Sequence, residues 1–233
     1  MVQRIIPIHS PNYLPPKALE QRLDISGIFG NCNPLALEIG CGTGHFILEL
    51  AASQPQTNFL AIDIYNKGCL KTCRKLDSAG LSNVRVVRAE ARFLLFNGLV
   101  PASLSAVYIN CPDPWPKKRH RQRRLVNREF LDILCHYLVG DGELFFATDV
   151  EDYAQDVAEA LRDLSAYRNQ LTTEISHHLP GYPSSKYMQR FLQLGQPIYY
   201  QHHRRDPALP HREFTEPIIQ HGFRNSWRKS GHD

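Results

Sequence analysis

The sequence lacks an uninterrupted apolar run long enough to span a bilayer, so no transmembrane helix is expected. Its opening residues, MVQRIIPIHSPNYLPP, are too proline-rich and too short in apolar run for a signal peptide. A cytoplasmic protein is the expectation. The six cysteines (Cys32, Cys41, Cys69, Cys73, Cys111 and Cys135) form no CxxC pair and match no zinc spacing. A chain of 233 residues buries enough surface to fold without disulfide staples. The thiols therefore read as core or surface groups in a reducing compartment, and no metal is expected. There is no internal repeat. The net charge of +4 is too mild to imply a nucleic-acid partner by itself. One local absence is more telling: residues 117–128 contain no acid, yet carry Lys117, Lys118, Arg119, Arg121, Arg123, Arg124 and Arg128.

What is present alternates between short apolar runs and amphipathic, helix-length segments. Strands are expected at residues 35–39, 58–62, 84–87, 106–110 and 143–147. Helices are expected at 43–52, 67–79 (stopped by Gly80), 91–96, 128–138 and 153–164. Two last strands, 171–175 and 197–202, flank a helix over 186–194. Strand alternating with helix means parallel βαβ units and an open, doubly wound, mostly parallel α/β sheet of about seven strands, with helices on both faces. Residues 1–30 read as an N-terminal arm, 31–203 as the domain, and 204–233 as a basic, histidine-rich tail.

Open α/β sheets bind ligands at the carboxyl ends of their strands. After the first strand comes EIGCGTG, in which Gly40, Gly42 and Gly44 allow a tight turn and a close approach to backbone. The spacing is GxGxG rather than the dinucleotide GxGxxG, and Glu38 precedes it. A pyrophosphate would be repelled by that acid; a cationic ligand would not. Asp63 ends the second strand, where a carboxylate can accept both ribose hydroxyls of an adenosine. The set resembles the S-adenosylmethionine site of class I methyltransferases. By that resemblance Glu90, after the third strand, reads the adenine amino group. As an acid at a helix start it also suits the helix dipole.

The fourth strand runs into NCPDPWPKKRHRQRR, residues 110–124. With EIGCGTGHF, the following RRLV, ATDVEDY and a weaker SKYMQRF, this stretch resembles the bacterial-type tRNA (guanine-N7)-methyltransferases from about residue 35 to 200. The resemblance implies a Rossmann-like class I fold, S-adenosylmethionine as donor, tRNA as partner, and methylation of guanine 46 in the variable loop. No protein partner is required by that family. It implies Asp113 as the catalytic residue, and Glu38, Gly40, Gly42, Gly44, Asp63, Glu90 and Asp113 as the donor site. It places Lys117, Asp149, Ser185, Lys186, Tyr187 and Met188 at the substrate, and the run Lys118, Arg119, Arg121, Arg123 and Arg124 on RNA phosphates.

The chemistry agrees with the resemblance. Guanine N7 has an in-plane lone pair and needs no deprotonation, so the demands are alignment and tolerance of a cationic purine. A carboxylate fenced by prolines, Asp113, can accept guanine N–H groups without being an obligatory general base. Trp115 either stacks on a ligand or anchors the loop in the core. The acid-free basic run reads as a phosphate-binding stripe.

The chain departs from the family's T-x-[FY]-E, reading Ser185-Lys186-Tyr187-Met188. A thioether cannot accept guanine N–H groups as a carboxylate does. On the sequence alone, this predicts poor turnover that Met188→Glu would relieve. Two alternatives follow: a catalytically weakened RNA-binding paralogue, or a class I methyltransferase for another acceptor.

Overall fold

The computed structural model describes residues 5–210. Within them the chain forms two compact units, residues 5–100 and 101–210.

The first unit carries four parallel strands: β1 (Tyr13–Leu14), β2 (Leu35–Ile39), β3 (Asn58–Asp63) and β4 (Val84–Arg88), in the order β1-β4-β3-β2. Every residue of β2 is buried, as are the first five of β3, which is why both read as continuous apolar runs rather than alternating ones. Helix α1 is Ile25–Phe29, α2 is His45–Ser53, and α3 is Asn66–Ala79. Gly80 closes α3 in the left-handed conformation, and Leu81 N–H returns to the Leu76 carbonyl at 3.1 Å, satisfying an orphaned helix-end acceptor. The expected helix at 91–96 is one turn, α4 (Ala91–Phe93), running into a π-helical turn at Leu94–Gly98.

The segment expected as an arm over residues 1–30 is, where described, tied to this unit. The Asn66 side chain accepts from Ile6 N–H at 2.8 Å and donates to the Ile6 carbonyl at 3.2 Å. Asp77 accepts from Ser10 and Asn12, and Leu19 is buried.

The second unit carries β5 (Leu104–Asn110), β6 (Leu138–Thr148), β7 (Tyr167–Asn169) and β8 (Tyr199–Arg205), in the order β5-β6-β8-β7. The β5–β6 pair is parallel; β8 is antiparallel to both β6 and β7. Helices α5 (Arg128–Tyr137), α6 (Glu151–Arg162) and α7 (Lys186–Gln193) complete it, with a 3-10 segment at Lys118–Arg123.

One expected strand is corrected. Residues 171–175 form bends, and the strand lies earlier, at Tyr167–Asn169. Asn169 explains the shift: its side chain accepts from Leu171 N–H at 3.1 Å and donates to the Leu171 and Thr173 carbonyls. Those local bonds take backbone groups that a ladder would need. Of the expected tail, residues 204 and 205 belong to β8, and residues 211–233 lie outside the described region.

Candidate active site

The glycine loop after β2 is shaped by backbone conformation first. Gly40, Gly42 and Gly44 all have positive φ, of 84°, 54° and 77°, which L side chains rarely adopt. Close approach adds to this. A Cβ on Gly44 would lie 2.7 Å from the Thr72 side chain, and one on Gly68 of α3 would lie 2.5 Å from the Gly42 carbonyl oxygen. The loop is then braced from β3: Asp63 accepts from Gly42 N–H at 2.8 Å and from Tyr65 N–H at 2.7 Å. A carboxylate offers about four acceptor directions, so bracing the loop and accepting ribose hydroxyls are compatible roles.

Glu38 sits beside this brace and is 2% exposed. Its Oε2 has no hydrogen-bond partner among the described residues. Burial first, and then the charge of Asp63, push its carboxyl up to about 8. A buried acceptor under this strain suits a cationic partner. Glu90, also buried, accepts from Phe93 N–H at 3.0 Å as the cap of α4 and pairs with Arg92 at 3.5 Å. The helix-start role is therefore realised.

In the second unit β5 ends at Asn110, and its side chain accepts from Tyr182 O–H at 2.9 Å. The proline-fenced loop follows, with Cys111 and Trp115 both in the left-handed region, at φ 45° and 44°. Non-glycine residues there mark a strained backbone held by its surroundings. Asp113 is exposed, with no hydrogen bond or ion pair among the described residues. Trp115 is half-buried rather than a core anchor. The Arg123 guanidinium lies 5.1 Å above its ring, and His120 meets it edge-on at 5.9 Å.

Arg124 requires a correction to the phosphate stripe. Its side chain is 3% exposed and donates to the Pro114 carbonyl at 2.8 Å, Asp152 at 2.7 Å and Asp156 at 2.5 Å, lying over the Tyr153 ring. Arg121 also pairs with Asp152. The run has no acid in sequence, but α6 brings two acids to it in space. Arg124 is a clamp on the loop, and the exposed cations of residues 117–124 are Lys117, Lys118, Arg119 and Arg123.

Asp149, just past β6, is half-buried and accepts from Tyr187 O–H at 3.4 Å. Burial and then the nearby Asp149 charge push the Cys111 thiol up to about 12, so it remains neutral. Ser185 caps α7 by accepting from Met188 N–H at 3.1 Å, and Lys186 is exposed. Met188 is corrected: it is fully buried, packed with Ala147, Ile198 and Tyr200. It holds α7 down rather than facing a substrate, so its thioether is no defect in base recognition. Sequence reasoning did not find Tyr182 or the Arg124 clamp, because both depend on partners 72 and about 30 residues away.

A family model described as "Putative methyltransferase" matches residues 32–201. The chain is 53% identical to the tRNA (guanine-N(7)-)-methyltransferase of Syntrophotalea carbinolica, covering 97% of this chain and 98% of that protein. It is 52% identical to the protein of the same name from Geobacter metallireducens, over 88% and 97%. The chain belongs to the tRNA (guanine-N(7)-)-methyltransferase family. Solved structures resemble it in fold alone. One is the 16S rRNA methyltransferase KamB, with a TM-score of 0.59 and 14% identity over 80% of this chain and 95% of that one. Another is an antibiotic-related methyltransferase, with a TM-score of 0.55 and 20% identity over 77% and 92%. The fold is thus the Rossmann-like class I methyltransferase fold. Among the described residues, no helix is long and apolar enough to cross a membrane, and no group of three or more His, Cys, Asp or Glu could hold a metal.

Two substitutions separate framework from surface. Arg124→Ala should lower stability by about 2–3 kcal/mol. That is less than the loss of a fully buried pair, because Asp152 and Asp156 are partly solvated. Arg123→Ala should stay within about 0.5 kcal/mol of wild type, with both variants read by urea titration. Met188→Glu buries a carboxylate among apolar side chains and should destabilise by roughly 3–5 kcal/mol, with no gain in kcat/KM. A stable, tenfold faster Met188→Glu enzyme would return that position to the substrate.

Proposed function

We propose that this protein transfers a methyl group from S-adenosylmethionine to N7 of a guanine in tRNA, at position 46 of the variable loop, in the cytoplasm. The near full-length similarity to relatives named for this activity supports the reaction. In the site itself, the observation that carries the reading is the buried, unpartnered Oε2 of Glu38 beside a glycine loop braced by Asp63. These residues fit the donor: Glu38 would take its cationic amino-acid end, Gly40, Gly42 and Gly44 would let it approach the backbone, and Asp63 and Glu90 would serve the nucleoside. The donor supplies an electrophilic methyl group on a sulfonium.

The protein's remaining work is on the guanine. No proton need be removed before N7 attacks, so the loop's task is orientation. Asp113, exposed and held between Pro112 and Pro114, accepts guanine N–H groups and offsets the positive charge that the purine gains. Asp149 and Tyr187, joined by their hydrogen bond, serve the acceptor with Lys117, Ser185 and Lys186. Lys118, Arg119 and Arg123 bind phosphates. Arg121 and Arg124 hold the loop's shape through Asp152 and Asp156. The weakened-paralogue reading rested on Met188 and loses that support with the residue buried.

The deciding experiment incubates the purified protein and donor with tRNA lacking the modification, then maps the methylated base by cleavage at N7-methylguanine. Methyl transfer to a different atom, or none at all, would sink the reading. A second measurement addresses Glu38. Its carboxyl is held up to about 8, so at pH 7 it is largely protonated, and a cationic ligand must ionise it. Donor binding at pH 7 should therefore release up to one proton, and affinity should rise with pH toward 8. Calorimetry in buffers of different ionisation enthalpy reads this directly. Glu38→Gln should abolish the proton release, and an unchanged release would remove Glu38 from the donor site.

A further inference from the structure

Guanine carries a strong acceptor beside N7, the carbonyl O6, and a carboxylate cannot serve it. A cation placed there would oppose the positive charge that the purine gains at N7. The donor that suits O6 is therefore neutral. One neutral donor stands at the end of β5. Asn110, three residues before Asp113, is half-buried, and its Nδ2 is buried with no hydrogen-bond partner among the described residues. Burying an amide donor without a partner costs stability, so its retention asks for a reason.

The rest of this side chain is fixed. Oδ1 accepts from Tyr182 O–H at 2.9 Å. The Asn110 backbone pairs in register with Ala147 of β6, and Cys111 N–H donates to the Ala147 carbonyl at 2.8 Å. Tyr182 is held in turn. Gly181, at φ 72°, and Pro183 flank it, and its ring centroid lies 5.7 Å from those of both Phe145 and Tyr200. With Oδ1 engaged, the two N–H bonds of Nδ2 are what the amide offers to a ligand.

We propose that Asn110 selects guanine. As the base seats against Asp113, Nδ2 of Asn110 donates to O6, and Tyr182 is the positioning residue that keeps the amide turned that way. Adenine carries an amino donor where guanine carries O6, so on adenine donor would face donor. This rests on the guanine-methylating reading and deepens it. The family resemblance gave neither Asn110 nor Tyr182 a role.

The test uses three unmodified tRNAs with guanine, inosine or 2-aminopurine at position 46; the first two bases keep O6 and the third lacks it. Single-turnover methylation is measured at excess enzyme. Affinity for each tRNA is measured beside it with the demethylated donor bound, so a base too slow to methylate is still read. Asn110→Leu should lower the rate or affinity about tenfold to a hundredfold on guanine and inosine, and leave 2-aminopurine within about twofold of wild type. Tyr182→Phe should show the same pattern at about twofold to tenfold. The double variant Asn110→Leu/Tyr182→Phe replaces both partners by apolar groups of similar shape, which keeps the fold where a single change does not. Thermal melts check each variant.

An equal loss on all three tRNAs would make Asn110 a merely structural residue and overturn the proposal. So would no loss on guanine, or weakened S-adenosylmethionine binding in Asn110→Leu by calorimetry, which would assign the amide to the methyl donor. If any of these appears while the wild type methylates guanine N7, this inference falls and the functional reading stands. A wild type that makes no N7-methylguanine would sink both.

Discussion

Two backbone N–H groups, those of Gly42 and Tyr65, converge on the carboxylate of Asp63. The glycine loop after β2 depends on that convergence. It ties the turn after β2 to the turn after β3, and it holds three glycines in conformations that other residues would resist. It also places a negative charge near the buried Glu38. Repulsion and burial together leave Glu38 poised to ionise when a cation arrives. A single carboxylate thus sets both the shape and the electrostatics of the loop.

The basic loop in the second unit works on a different principle. Positive charge repels itself, and a run of cations following a proline-rich turn would splay without a counterweight. Asp152 and Asp156, one turn apart on α6, provide it through Arg124 and Arg121. The buried guanidinium also donates to the Pro114 carbonyl, next to Asp113, so the clamp reaches the residue proposed for chemistry. Its neighbours are left in solvent, where long-range attraction to a polyanion operates. The run is therefore divided between members that organise the loop and members that face outward.

Most strands and helices were legible because each carries its own periodicity and stop signal, as Gly80 does for α3. The strand expected at 171–175 was not, because Asn169 competes for the backbone through side-chain bonds that hydropathy does not encode. Met188 was misread for a related reason. A motif aligns positions, but whether a side chain points to a cleft or a core depends on how its helix is docked. For Arg124, charge counting along the chain missed the two acids across it.

By itself the sequence determined the alternating α/β architecture, the glycine turn with its flanking acids, and the concentration of positive charge after β5. These are local properties: propensity, pattern and composition act over a few residues. Only the tertiary structure decided which acid lacks a partner, which arginine is buried, and which face of α7 meets solvent. Those outcomes depend on desolvation and on contacts between residues about 20 to 40 apart in sequence, and burial is a property of the packed chain rather than of any segment in it.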